Sequence, residues 1–278
     1  MKFRALVLAG RRQADDPLAR SAGAPHRALL DIAGRPMLER VLRTLSAHPR
    51  IGAVTVSIDQ PELLERFPGL AEAASRGEFE VRASEDSPSR SVLAAFDAAN
   101  EWPWLVTTAD HALLDAAMLD AFLDAAESSR ADLAVGLVSR TCIEKRFPTA
   151  RRTYLPFRGE SFSGANLFAF MDPGARQVAE FWQRAEHQRK QPWKLVREFG
   201  VVSLLLFLLR RLSLDAALER ASRVVGARVA AVELPMAEAA VDVDKLDDLE
   251  LVRAILRERA QASGRAAGGS GDPAGIGA

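Results

Sequence analysis

A chain of 278 residues carries 37 Lys+Arg against 37 Asp+Glu, so its formal net charge is zero and it has no electrostatic excess for phosphate-rich polymers or an anionic bilayer. This argues against general nucleic-acid binding, and 48% hydrophobic with 27% charged residues excludes a disordered chain and supplies a sizeable core. Cys142 is the single cysteine, which excludes an intramolecular disulfide framework and a cysteine-rich zinc site and makes a reducing cytoplasm the expected location.

The basic start Met1–Arg4 leads into an apolar run, Ala5–Ala9, too short for a signal-peptide core, and the spacing predicts a buried strand over Phe3–Ala9. Pro36 opens an amphipathic helix that runs to Leu45, and Ala53–Ile58 and Phe79–Ala83 follow as strands. Ser87-Pro88-Ser89 offers a helix start before Ser91–Asn100. Trp104–Thr108 reads as a strand running into Ala109-Asp110, with a helix over Asp115–Glu127 behind it. Two more strands, Leu133–Val138 and Asn166–Phe170, are separated by an irregular segment rich in Arg, Pro and Gly.

From Pro173 to about Val225 the pattern is helical, an insertion or cap over residues 173–225, before a strand resumes at Arg228–Leu234. Its apolar stretch Val201–Leu209 spans nine residues, where a membrane-spanning helix needs about 20. No transmembrane segment is expected there, and residues 193–214 are open to three readings: a buried helix, a homodimer face, or a peripheral membrane contact. A last helix is predicted over Leu246–Arg259, and the Gly/Ala/Ser-rich residues 260–278 read as a disordered tail. Strands alternating with helices imply one α/β domain over residues 1–259, three layers deep (α/β/α) around a mostly parallel, mixed sheet.

In an open α/β sheet, ligands gather outside the carboxyl ends of the strands. Two segments fall there, the loop after the first strand and the Ala109-Asp110-His111 turn, and a later loop carrying Asp242 and Asp244 is free to converge on the same edge. Leu8-Ala9-Gly10 ends the first strand in a glycine that lets backbone approach a nucleotide, and Arg27, after a long polar loop, is a cation suited to polyphosphate. Asp110 ends the strand Trp104–Thr108, where a carboxylate serves either as a hard oxygen ligand for Mg²⁺ or as a helix-capping group. Asp242 and Asp244 alternate on an extended segment, so both carboxylates can address one cation, or else complement the dipole of the helix behind them. His111 reads as a packed neighbour of Asp110. Asp247 and Asp248 read as dipole complements in the first turn of the last helix. Arg151, Arg152, Arg158, Arg189, Lys190 and Lys194 surround the cap in sequence and either receive an acceptor phosphate or are solvated surface.

With Arg27-Ala28-Leu29-Leu30 and Gly34-Arg35-Pro36-Met37 added to Leu8-Ala9-Gly10, the sequence resembles the MobA-like nucleotidyltransferases. The family opens on a strand, Leu-Ala-Gly-Gly, a Gly/Arg-rich loop, then Lys-Ala-Leu-Leu and Gly-Lys-Pro-Met/Leu; here Arg stands for Lys twice. Asp110 and Asp242-Val243-Asp244-Lys245-Leu246-Asp247-Asp248-Leu249 continue the likeness, which covers roughly residues 3–258. Gly10-Arg11-Arg12-Gln13 departs from it, because the family has a second glycine where Arg11 stands.

The resemblance implies a Rossmann-like fold and Mg²⁺-dependent transfer of a nucleoside monophosphate from an NTP to a small phosphorylated or hydroxylated acceptor, with release of pyrophosphate. It implies that Asp110, Asp242 and Asp244 bind Mg²⁺, that Arg27 neutralises phosphate, and that Leu8, Ala9, Gly10 and Arg11 meet the nucleotide. The segment Ser87–Val92, with Ser89 and Ser91, is similar to the Arg-x-x-Ser-Val helix start where cytidylyltransferases meet the nucleotide, or else forms a plain helix cap, and Phe162–Asn166, with Gly164 and Asn166, resembles the acceptor-pocket strand of sugar nucleotidyltransferases, or else forms a tight turn into a strand. Guanylyl and cytidylyl transfer both have precedent in the family. The alternatives are a glycosyltransferase of the same fold using a nucleotide sugar, and a non-catalytic nucleotide-binding protein.

Overall fold

Alternation along the first strand sets the layers. In β1 (Phe3–Leu8), Phe3, Ala5 and Val7 face one side of the sheet and Leu6 the other, and all four are fully buried. The computed structural model describes residues 1–11, 15–187, 206 and 209–268, with the side chains of all of these except 187 and 263–268. In chain order β1 is followed by α1 (Pro17–Ser21), α2 (Met37–Ala47), β2 (Ile51–Ile58), α3 (Pro68–Ser75), β3 (Glu80–Ala83), α4 (Pro88–Ala98), β4 (Trp104–Thr108) and α5 (Ala116–Ser129). Then come β5 (Leu133–Ser139), α6 (Arg140–Arg146), β6 (Leu155–Pro156), β7 (Ser161–Phe170), α7 (Arg176–His187), α8 (Leu214–Val225), β8 (Val229–Glu233) and α9 (Leu246–Gly268).

The strands form one sheet in the order β3-β2-β1-β4-β7-β5-β8, with β6 paired to β7. The pairs β1–β2, β1–β4, β2–β3 and β5–β8 are parallel, and β7 runs antiparallel to β4, β5 and β6, so the sheet is mixed and mostly parallel as expected. Leu38, Val41, Leu42 and Leu45 of α2 and Met118, Leu119, Phe122 and Leu123 of α5 pack on the face that carries Phe3 and Val7. Val92 and Phe96 of α4 and Ala179 of α7 pack on the other, with Leu6, Trp104 and Val106. From β1 the chain leaves to β2 on one side, while β4 lies on the other side of β1; the carboxyl ends of β1 and β4 are therefore a topological switch point.

A separate apolar cluster supports that edge. Leu18 and Leu30 from the segment after β1, Ala112 and Leu113 from the segment after β4, and Val241 and Val243 from the approach to α9 pack with Leu249, Val252 and Ile255 of α9. Burying these side chains together brings three loops far apart in sequence to one place.

Several boundaries move. The polar loop after β1 contains α1, whose N-cap Asp16 accepts from Leu18 N (2.9 Å) and Ala19 N (3.0 Å). The irregular Arg/Pro/Gly segment holds α6 and β6, and β7 starts at Ser161 rather than Asn166. The expected tail from residue 260 is corrected in part: α9 continues to Gly268, and 269–278 lie outside the described residues. Of the helical block, α7 and α8 are described, while Arg189, Lys190, most of 193–214 including Lys194, and nearly all of Val201–Leu209 lie outside. Among the described residues, no helix is long and apolar enough to cross a membrane.

β7 carries extra residues relative to β5 between Gly164 and Phe168, and Asn166 there adopts φ +50°. Such a bulge re-aims a side chain. It is accommodated by Gly136 of β5, where a Cβ would lie 3.2 Å from Leu167 Cβ and 3.3 Å from Ala165 Cβ. Gly136→Val is therefore expected to destabilise the fold by about 1–3 kcal/mol through overpacking, read from urea unfolding.

Candidate active site at the β1–β4 switch point

Leu8 and Thr108 are register partners at the carboxyl ends of β1 and β4, and Ala109 N donates to Leu8 O at 3.0 Å. The next residue, Asp110, accepts a short hydrogen bond from the Thr108 hydroxyl, and its carbonyl accepts from Val243 N at 3.1 Å. That last bond seats the Asp242–Asp244 segment over the end of β4. Burial pushes the Asp110 carboxyl up to about 6; the Thr108 hydrogen bond and Arg27 work against the rise, while the charges of Asp242 and Asp244 add to it. His111 is enclosed, burial lowers it to about 4, and neither ring nitrogen has a hydrogen-bond partner, so it packs as a neutral imidazole.

Arg27 opens a short 3-10 turn whose geometry is set by its predecessor. His26, 1% exposed, accepts from Ala28 N through Nδ1 (3.0 Å), which leaves Nε2 as the nitrogen facing Asp59 Oδ1 at 2.9 Å. Asp59, at the carboxyl end of β2, also accepts from Arg11 Nε (2.7 Å) and Arg11 N (3.1 Å). Burial works to raise the Asp59 carboxyl, but the hydrogen bonds from His26 and Arg11 outweigh it and hold the group below its ordinary value. Arg27 Nη2 donates to Val243 O (2.6 Å) and to the Asp244 carboxylate, and Nη1 lies 3.6 Å from Asp16 Oδ2. The cation thus bridges the segment after β1 to the segment before α9.

Asp242 has its own cation. Arg152 Nη1 donates to Asp242 Oδ1 at 2.6 Å and to its carbonyl at 3.3 Å, and Asn166 Nδ2 approaches Oδ2 at 3.5 Å. Burial raises the Asp242 carboxyl, Asp244 raises it further, and Arg152 pulls it down.

The structure thus brings Arg27, Asp110, Asp242, Asp244 and Asn166 to one edge. It does not make the expected three-carboxylate metal cluster: Asp244 pairs with Arg27, Asp242 with Arg152, and among the described residues no three His, Cys, Asp or Glu side chains gather to hold an ion by themselves. Of the expected backbone contacts, Leu8 O accepts from Ala109 N and Ala9 N donates to Ser57 O at 2.8 Å, while Gly10 is the exposed residue of the three. Gly10 lies against the loop after β3, where a Cβ would sit 3.2 Å from Ser84 Oγ. Arg11 is held by Asp59, and Arg12 lies outside the described residues. Gly164 is exposed beside open space.

Ser89 and Ser91 face protein instead. The buried Ser89 hydroxyl bonds Glu186 of α7 and Ser87, and Ser91 Oγ accepts from Glu85 N at 2.9 Å. Ser91→Ala is expected to cost about 1 kcal/mol, the worth of one such bond, with triphosphate affinity unchanged in a titration; a large loss of affinity would return Ser91 to the nucleotide. Sequence reasoning missed His26 and Asp59. The signal available for Asp59 was the one used for Asp110, a carboxylate just past a buried strand.

The model of the MobA-like NTP transferase domain matches residues 5–228. The chain belongs to the MobA-like NTP transferase family. A hypothetical transferase from Thermus thermophilus is 30% identical with a TM-score of 0.73, the match covering 90% of this chain and 100% of that one. A CMP:2-keto-3-deoxy-manno-octonic acid synthetase complexed with CTP has a TM-score of 0.59 at 15% identity, covering 93% and 100% of the two chains. A 2-C-methyl-D-erythritol 4-phosphate cytidylyltransferase, also from Thermus thermophilus, has a TM-score of 0.52 at 17% identity, covering 92% and 100%. These last two share the fold. No curated protein matches the chain significantly. Family membership and fold together support a nucleotidyltransferase.

Proposed function

We propose that this MobA-like NTP transferase moves a nucleoside monophosphate from an NTP to a small phosphorylated or hydroxylated acceptor and releases pyrophosphate. The observation that carries the reading is the meeting of Asp110, Asp242 and Arg27 at the β1–β4 switch point, acids and a phosphate-matched guanidinium drawn from three distant segments. An acceptor oxygen bonds to the α-phosphorus as the bond from that phosphorus to the pyrophosphate oxygen breaks, and a hydroxyl acceptor loses its proton. Most of the work is placement and charge.

Asp110 and Asp242 fit Mg²⁺. They are oxygen donors, partly buried, each raised by burial and further by neighbouring negative charge, and one or two carboxylates are what Mg²⁺ uses when substrate phosphates complete its shell. Bound there, Mg²⁺ would supply the positive charge that eases attack on the α-phosphate. Arg27 holds phosphate oxygens through its fork, in exchange for part of its bond to Asp244. Asn166, offering both a donor and an acceptor beside Asp242, orients the acceptor.

The test is thermal stabilisation by each of the four NTPs with and without Mg²⁺, followed by pyrophosphate release with a panel of phosphorylated and hydroxylated acceptors. A ligand that binds only the native state at 100 times its Kd adds about 2.7 kcal/mol. A shift for one NTP that requires Mg²⁺ identifies the base, guanine or cytosine being the expected choices. Stabilisation by nucleotide sugars with glycosyl transfer and no pyrophosphate would replace this reading, and no shift with any nucleotide would overturn it.

A further inference from the structure

Arg152 precedes β6 and belongs to none of the motifs that mark the site, yet it is the most enclosed cation around it, its side chain 7% exposed. One nitrogen, Nη1, donates to both the carboxylate and the carbonyl of Asp242. The other, Nη2, lies 3.3 Å from Asp248 Oδ1 in an ion pair in which Asp248 is 6% exposed. Asp248 in turn accepts from Asp244 N and Lys245 N, both at 3.1 Å, closing the first turn of α9. A single guanidinium therefore ties Asp242 to the start of α9, and through Asp248 fixes the backbone that carries Asp244. The Arg152 Nε and Nη2 atoms are buried without hydrogen bonds, so the side chain is walled off from an acceptor phosphate. Burying a guanidinium with two such atoms is costly, and here it holds together a short segment with Asp242, Asp244 and Asp248 on it.

We propose that Arg152 is a positioning residue of the acid site, bridging Asp242 and Asp248 so that the Asp242 carboxylate stays beside Asp110 when a cation-bound triphosphate arrives. The inference rests on the proposed reading of Asp110 and Asp242, and its test separates the two. Mn²⁺ binding is read from its electron paramagnetic resonance signal, with inorganic triphosphate as a base-independent partner, in wild type, Arg152→Met and Arg152→Lys, each checked for native circular dichroism.

Wild type is expected to bind the Mn²⁺–triphosphate pair and Arg152→Met to bind it at least tenfold more weakly. The sign is diagnostic. For Mn²⁺ added without triphosphate, removing a nearby cation would by charge alone tighten binding, so weakening of the free ion in a folded variant reports lost placement. Lysine presents a point charge that cannot fork across two carboxylates, and Arg152→Lys is expected to weaken binding about threefold; it carries the test if Arg152→Met does not fold. Unchanged or tighter binding in the folded variant overturns the role of Arg152, while absence of Mn²⁺ binding to the wild type overturns the reading of the acids instead.

Discussion

Asp110→Asn is expected to make the ligand-free protein more stable above pH 6 while lowering nucleotidyl transfer by roughly 10³-fold. Burial, helped by Asp242 and Asp244, raises the folded-state carboxyl of Asp110 from 3.8 to about 6. A raised acid binds its proton more tightly when folded, so folding is penalised wherever the group must ionise. That penalty is absent below the unfolded value, grows between about pH 4 and 6, and is complete above the folded value. A shift of about two units corresponds to about 3 kcal/mol. Asparagine keeps an acceptor for the Thr108 hydroxyl and carries no charge, so it escapes the penalty. Melting temperatures of both proteins measured from pH 4.5 to 8.5 should diverge with rising pH, the variant ahead by roughly 5 °C or more at pH 8. A constant difference across that range would mean that Asp110 is not the ionising group. The same variant should keep its fold and lose pyrophosphate release, because the destabilising charge is the one the reaction uses.

What could be read in the sequence follows from how local each signal is. β1 and β4 were legible because Ala5–Leu8 and Trp104–Val106 are apolar without interruption, the mark of a strand covered on both faces. Asp110 and Arg27 followed from their places after those strands. The partners of these residues were not legible, because they arise from packing between distant segments: Arg27 meets Asp244 across 217 positions, and Arg152 meets Asp242 across 90. Ser89 and Ser91 sit at a helix start that suits an anion, but whether a hydroxyl faces a ligand depends on what lies opposite, here Glu186 and the Glu85 amide. α1 was hidden because five residues carry too little periodicity, although Asp16-Pro17 is an N-cap followed by an N1 proline. The direction of β7 was hidden too, since a buried strand reads alike whichever way it runs.

Arg27→Met is expected to weaken triphosphate binding by tenfold or more and to lower kcat/KM through KM, with a stability loss within about 1 kcal/mol. The small stability term follows from exposure: Asp244 is 44% exposed and Arg27 19%, and pairs open to water contribute little. The large binding term follows from geometry, because the guanidinium whose single nitrogen Nη2 holds both Val243 O and Asp244 can turn its Nη1–Nη2 fork to two phosphate oxygens. That shared use means phosphate and Asp244 compete for Arg27. Asp244→Asn should therefore bind metal-free triphosphate roughly two- to fivefold more tightly than wild type, the fold-change equivalent of one exposed pair. Isothermal titration with inorganic triphosphate, without metal, reads both variants on one scale. Opposite shifts identify Arg27 as the phosphate cation restrained by Asp244. If triphosphate affinity is the same in Arg27→Met as in wild type, Arg27 is a latch between the β1 loop and α9 and nothing more.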